Sequence, residues 1–388
     1  MVKIMKNFNF QASTNVFFGK DSIQHLPKQV KQFGNKVLVA YGGGSIKKTG
    51  LYDTVMELLK DYEVHELAGI QPNPKVDSVN EGAKICKENQ IDVIVAVGGG
   101  STMDCAKAIA CAAYYDGDAW DLVLDHSKIK QALPIITITT MAATGSECDI
   151  YSVISNPKTN EKMGLHSKEI MPRVAIMDPT YTCTLPKYQT AAGIADIMSH
   201  TMENYFSNDA CYLTNRICEA NLKTCIKYGK IAVNEPNNFE ARSELLWAST
   251  VCMNGTTDAG KSVSWTCHPI EHELSAYYDI THGVGLAIVT PRWMRHILSN
   301  ETVDKFVEFA NHVWNIYGED KYEVANKGID ALENFFKELE IPMTLSEVNI
   351  DETYFEEMAK HAVQYNSLNH AYVALKEKDI IEILKSCL

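Results

Sequence analysis

The stretch IDVIVAVGGGSTMDCAK, residues 91–107, decides the fold. An apolar run from Ile91 to Val97 ends on three glycines, and a helical pattern follows, placed at residues 104–114. So short a run, bounded by glycine, reads as a strand buried on both faces. Gly98, Gly99 and Gly100 let the main chain approach another group closely, and the helix start beyond them offers unpaired N–H groups and the favourable end of a dipole. A pyrophosphate suits that place. The spacing is not GxGxxG, so the standard dinucleotide fingerprint is absent, and a plain tight turn is the other reading of these residues.

The same grammar repeats on either side. Residues 37–41, VLVAY, form a second buried strand that stops at Gly42-Gly43-Gly44. Helical patterns follow at 51–60 and at 77–89, the latter capped by Asp77 or Ser78, and residues 134–140 form a further strand. Strands alternating with helices give a mainly parallel, Rossmann-like sheet covered on both faces, which binds ligands beyond the carboxyl ends of its strands. After about Asp178 the pattern is helical throughout, for example at 189–206, 209–228 and 303–317. The expectation is an α/β dinucleotide-binding domain at 1–182 and an all-helical metal-binding domain at 183–388, with a cleft between.

Composition narrows the function. With 388 residues, 46% apolar and 22% charged, the chain is an ordinary globular protein. A formal charge of −13 speaks against nucleic acid or an anionic membrane as partner. No leader or membrane span is expected, because no apolar run is long enough for either. Eleven cysteines without a CxxC pair fit reduced thiols in the cytoplasm. Cys211, Cys218 and Cys225, seven residues apart, read as a stripe on a buried helix.

Two further segments follow strands and are small or hydroxyl-rich. Tyr41-Gly42-Gly43-Gly44-Ser45 places no acid where an NAD-specific enzyme puts one for the adenosine 2′-hydroxyl, leaving room for a 2′-phosphate. TTMAATGSE, residues 139–147, could lie along a ribose and its phosphates. Each is also an acceptable plain turn. In the second half, Asp196 and His200 are four residues apart and share a helix face, as do His268 and His272, with His282 ten residues further on. Carboxylate and imidazole converging from more than one element make a metal site; five candidates exceed the usual need, and spacing does not say which is left over. Tyr151, Trp265 and Phe206 either shape an apolar pocket or pack a core.

Together these residues carry a resemblance. GGGSxxDxAK at Gly98–Lys107, ATGSE at Ala143–Glu147, Asp178-Pro179 with Pro186, Asp196, His200 and Glu203, and then His268, His272 and His282-Gly283, are similar to the signatures of the iron-containing alcohol dehydrogenases. YGGGSIKKTG at 41–50 resembles the butanol dehydrogenase and NADPH-dependent aldehyde reductase branch. The resemblance implies the dehydroquinate synthase-like fold and a divalent metal on Asp196, His200, His268 and His282, with Fe2+ expected and Zn2+ or Ni2+ as substitutes. It implies that His272 stands beside the metal and relays a proton, and that NADP(H) is the cofactor. Gly43, Gly44, Ser45 and Lys162 would then receive the 2′-phosphate, and Asn73, Gly99, Gly100, Ser101, Thr139, Thr140 and Ser146 would line the rest. Small aldehydes and alcohols are the expected substrates, and a homodimer the expected assembly. The rivals are a metal-dependent lyase of the dehydroquinate synthase type and a non-catalytic NADPH-binding or filament-forming protein.

Overall fold

The computed structural model describes residues 5–209 and 211–388. Residues 1–4, on which part of the no-leader reading falls, and Ala210, within the expected helix 209–228, lie outside the described residues. The chain forms two compact units. One is Ala12–Leu185, and the other joins Pro186–Leu388 to the described residues before Ala12. The division thus falls at 185/186 rather than 182/183. Residues 5–11 go with the helical unit because the Lys6 N–H donates to the Gly260 carbonyl at 2.8 Å and the Lys6 ammonium lies 3.6 Å from Asp209.

The first unit holds eight strands: β1 (Asn15–Phe18), β2 (Lys36–Gly42), β3 (Glu63–Ile70), β4 (Val93–Gly98), β5 (Ile135–Thr139), β6 (Tyr151–Asn156), β7 (Glu161–His166) and β8 (Val174–Met177). Six form one sheet in the order β1-β8-β5-β4-β2-β3, every pair parallel, and β6 and β7 form an antiparallel hairpin. Alternation along β2 explains the double burial. Val37, Val39 and Tyr41 join one apolar cluster with Leu51, Val55 and Val95, whereas Leu38 and Ala40 join the other with Val79, Ala106 and Ile109. The chain runs from β2 outward to β3 and then returns to β4 on the opposite side of β2. That reversal is the switch point at which such sheets bind ligands, and the Gly42–Ser45 and Gly98–Ser101 turns flank it.

Two expectations about helices are corrected. The helix expected at 104–114 spans Gly100–Ala112, starting directly after the β4 turn with Gly99 as its N-cap. Asp104 therefore lies in the second turn. The helix expected at 77–89 is Val76–Asn89; its N-cap is Lys75, and no side chain caps it. Lys75 is extended because it forms a parallel bridge with Ser155 of β6; Asp77 remains in the first turn, where it favours the dipole.

The second unit is helical among the described residues, and two of its helices matter most. Lys187–Tyr205 is buried along nearly its whole length, and it packs on His282–Ile297. Small residues allow the close approach: a Cβ on Gly283 would stand 2.0 Å from the Ala192 carbonyl oxygen. The helix Tyr212–Asn234 buries Cys218 and Cys225 of the expected stripe, whereas Cys211, at its N-cap, lies just outside it. The helix Val303–Trp314 ends three residues before the expected 317, because Asn315 turns left-handed at φ 57°. No disulfide joins any of the eleven cysteines, and among the described residues all but Cys183 are buried. Among the described residues no helix is long and apolar enough to cross a membrane.

The backbone contact at Gly283 predicts that Gly283→Ala destabilises the protein by about 3 kcal/mol or more, since the obstacle is main chain that no rotamer change can move. Thermal and urea unfolding would measure this. An unchanged unfolding midpoint would show that the two helices separate freely.

Candidate metal and dinucleotide sites

The helical unit gathers the expected metal donors. Asp196 and His200 come from Lys187–Tyr205, His268 opens the helix Cys267–Tyr278, and His282 opens His282–Ile297. The Asp196 Oδ1 lies 3.3 Å from His200 Nδ1, 3.8 Å from His268 Nε2 and 3.7 Å from His282 Nε2. Donor atoms of Asp196, His268 and His282 all lie within 4.8 Å of one another. His200 stands at the edge of this trio, its ring stacked on His268 with centroids 4.4 Å apart. Asp196 Oδ1, His200 Nδ1 and His268 Nε2 are each buried without a hydrogen-bond partner. Three orphaned polar atoms converging on one point require an occupant, and carboxylate with imidazole is the donor chemistry of a divalent transition metal.

Charge at the site follows from burial and neighbours. Burial pushes the Asp196 carboxyl up, but His200, His268 and His282 outweigh it and hold the group down at about 2. Burial lowers His200 to about 4, leaving that imidazole neutral at pH 7. His268 goes the other way: burial lowers it, yet Glu203 raises it to about 9.

Glu203 is one of two acids whose part the spacing did not reveal. Its carboxylate contacts His268 Nδ1 and the Thr266 N–H, and it accepts from the N–H groups of Cys267 at 2.9 Å and His268 at 3.1 Å. It thus caps the helix Cys267–Tyr278 from another helix while fixing the ring that faces Asp196. The second acid is Glu271, buried against His282 Nδ1. Glu203 lies seven residues after Asp196 on the same helix face. That signal was available; the pairing of Glu271 with His282 depends on a turn that spacing does not show. His272 is half-buried with its ring 5.6 Å from that of His282, so it lies beside the trio and outside it.

Of the three aromatics considered for a pocket, only Trp265 is at the site, its ring 4.4 Å from His268 and 5.2 Å from His200. Phe206 packs in a core cluster with Trp293, Phe306 and Phe309, and Tyr151 stacks beside His166 in the other unit. A second acidic group with histidine, Glu219, Glu308 and His312, is already neutralised. The Arg216 guanidinium reaches both carboxylates at 2.6 Å, making it an ion-pair network.

In the α/β unit the expected cofactor residues meet at the carboxyl edge of the sheet. Gly98 pairs with Thr139, and Gly42 with Ile70, one residue before the Gln71–Pro74 turn. Gly43, Gly44 and Ser45 follow β2, and Gly99, Gly100 and Ser101 follow β4; Thr139 closes β5 and Thr140 follows it. Gly44 needs its glycine for a φ of 101°, and a Cβ on Gly43 would meet nothing within 4 Å. Asn73 is buried in the turn at a left-handed φ of 49°. Lys162 on β7 pairs with Ser155, whose N–H donates to the Pro74 carbonyl at 2.9 Å, so the turn links Lys162 with the end of β2. The Thr139 hydroxyl is buried without a partner. Ser146 donates its hydroxyl to Asp104 at 2.6 Å, and the Val153 N–H donates to the same carboxylate at 3.0 Å. Asp104 therefore orders the loop 139–150, and burial raises its carboxyl to about 6.

With an α/β sheet unit and a helical unit centred on buried Asp and His, the comparisons place the chain plainly. The model of the iron-containing alcohol dehydrogenases matches residues 13–179, and that of the C-terminal part of the same family matches 190–388; the chain belongs to this family. It is 49% identical over 386 residues to the NADH-dependent butanol dehydrogenase A of Clostridium acetobutylicum, covering 98% of this chain and 99% of that one. It is 38% identical over 355 residues to the NADPH-dependent aldehyde reductase YqhD of Escherichia coli, covering 89% and 90%. The crystal structure of NADH-dependent butanol dehydrogenase A from Thermotoga maritima superposes with a TM-score of 0.95 at 38% identity over all of both chains.

Glu203→Ala should lower stability by about 3 kcal/mol or more, because three buried N–H groups lose their acceptor. Urea unfolding and retained metal would be measured together. A variant as stable as the parent would show that water replaces the carboxylate.

Proposed function

We propose that the chain interconverts short, uncharged aldehydes and primary alcohols such as butanal and butanol, with a divalent metal and a nicotinamide dinucleotide. The carrying observation is the convergence of the orphaned donors of Asp196, His200 and His268, with His282 completing the group. A metal held there supplies Lewis acidity to the substrate oxygen, and the dinucleotide supplies or accepts the hydride. Asp196 contributes the one carboxylate among the four donors, so a divalent metal held on them would keep net positive charge. Glu203 keeps the His268 Nε2 turned towards Asp196. His272, half-buried beside the trio, passes a proton between the substrate oxygen and solvent.

The relatives support the reaction and divide on the cofactor, the butanol dehydrogenases being named for NADH and the aldehyde reductase for NADPH. Our reading favours NADPH. The turn at Gly43, Gly44 and Ser45 offers open space and no acid, and Lys162 adjoins the neighbouring Gln71–Pro74 turn. Fe2+ is the metal the family is named for. Eleven cysteines without a disulfide suit the cytoplasm. The homodimer reading uses β1, which among the described residues has a neighbour on one side only. A lyase would oxidise no cofactor, and a non-catalytic protein would not turn over, so one assay separates all three.

Anaerobic protein supplied with Fe2+ or Zn2+ is expected to oxidise NADPH with butanal at least about tenfold more efficiently than NADH, a ~1.4 kcal/mol preference. Preference for NADH would overturn the 2′-phosphate reading while keeping the reaction. Gly43→Asp, which a Cβ can enter freely, should fold normally and shift use towards NADH, because a carboxylate accepts from the 2′-hydroxyl and repels a 2′-phosphate. His268→Ala should lose metal and turnover yet bind NADPH as before; equal loss of both would sink that division of labour.

A further inference from the structure

Glu271 is fully buried on the helix Cys267–Tyr278, one position before His272. One carboxylate oxygen touches His282 Nδ1 and the other receives the Ser275 hydroxyl. The Ser275 Oγ also lies 3.4 Å from the Ile280 carbonyl, and the Ser275 carbonyl accepts from the Asp279 N–H at 2.9 Å. Asp279 is left-handed at φ 52°, and this turn delivers His282 to the start of its helix. Glu271 thus holds the ring, and Ser275 joins it to the turn, bound to Glu271 through its hydroxyl and to Asp279 through its carbonyl.

His282 is the donor most in need of such support. Its side chain is 23% exposed, against 3–5% for Asp196, His200 and His268. Its two nitrogens face opposite ways, Nε2 towards Asp196 at 3.7 Å and Nδ1 onto Glu271. A neutral imidazole has one donor and one acceptor nitrogen. A carboxylate at Nδ1 takes the N–H and leaves the Nε2 lone pair on the side of Asp196. The next helix makes room for it: a Cβ on Gly285 would stand 2.7 Å from Glu271 Cγ.

We propose that Glu271 is a positioning residue for the metal site, fixing the tautomer and orientation of His282 and, through Ser275, the turn at Asp279 that presents it. The inference rests on the metal reading above. Asp196, His268 and Glu203 make one half of the site; Glu271, Ser275 and His282 make a second half with its own carboxylate.

The test uses the full-length protein stripped of metal and titrated with Zn2+ against a chromophoric chelator, with Co2+ absorption reporting ligand geometry and NADPH fluorescence as control. Glu271→Ala should weaken Zn2+ about 10–100-fold and shift the Co2+ bands, with NADPH binding unchanged. Glu271→Gln, whose amide oxygen can still accept from Nδ1, should lose less, about fivefold, because it keeps orientation and lacks charge. Should Glu271→Ala fail to fold, Glu271→Gln carries the test by the same readings. Zn2+ affinity and Co2+ spectrum like those of the parent in the folded variant would overturn the proposal and make Glu271 a core residue alone. No metal uptake by the unaltered chain would bring down the metal reading itself, and the inference with it.

Discussion

A carboxylate taken out of water has to be compensated where it stands, and in the helical unit that carboxylate is Asp196. Exposed by only 2%, it keeps its charge because three imidazoles surround it. Everything nearby follows from that need. The helix Lys187–Tyr205 must present Asp196, His200 and Glu203 on one face, and two other helices must begin next to it. Each of those beginnings carries a histidine. Glu203 satisfies main-chain donors at one of them and thereby turns a structural problem, the unpaired N–H groups of a buried helix end, into the means of aiming a ring.

The α/β unit solves a different problem with similar economy. The residues proposed for the cofactor sit on turns, which on their own would wander. Buried polar contacts stitch them down: Asp104 accepts from Ser146 and from Val153 of β6, and Lys107 holds Asp149 at 2.6 Å and the Tyr151 carbonyl at 2.8 Å. The hairpin of β6 and β7 then leans on the Gln71–Pro74 turn through Ser155. The loop after β5 is therefore part of the scaffold, in keeping with the buried Ser146 and Glu147 within it.

How much of this was legible depended on where each element lies in its layer. The strands β2, β4 and β5 are central and buried on both faces, so VLVAY, VIVAV and IITIT announce themselves. The strand β3 closes the sheet edge, and its sequence EVHELAGI alternates with exposed charge, which hides it among polar segments. The strands β1 and β8 are four residues each, too short for a period to register. The hairpin strands YSVISN and EKMGLH mix polar and apolar residues, Ser155 and Lys162 being paired within them, so neither stands out as an apolar run. At the metal site, i to i+4 spacing exposed Asp196 with His200 because both ride one helix. Glu271 escaped, since its partner lies eleven residues on, past a left-handed turn that no spacing rule describes. The helix after β4 was legible but placed four residues late, because a glycine-led helix start has no side-chain cap to mark it.

The contact between Gly283 and Ala192 has a consequence for how such a protein can change. Ala192 lies one helical turn before Asp196, and Gly283 directly follows His282. The separation of those two donors is thus gauged by main chain against main chain, as in a mechanical joint with no shim. Changes at Trp265, whose ring packs near His268 and His200, would leave that gauge untouched. New specificities can be tried while the catalyst keeps its tolerances, so novelty and precision are inherited through separate parts of the chain.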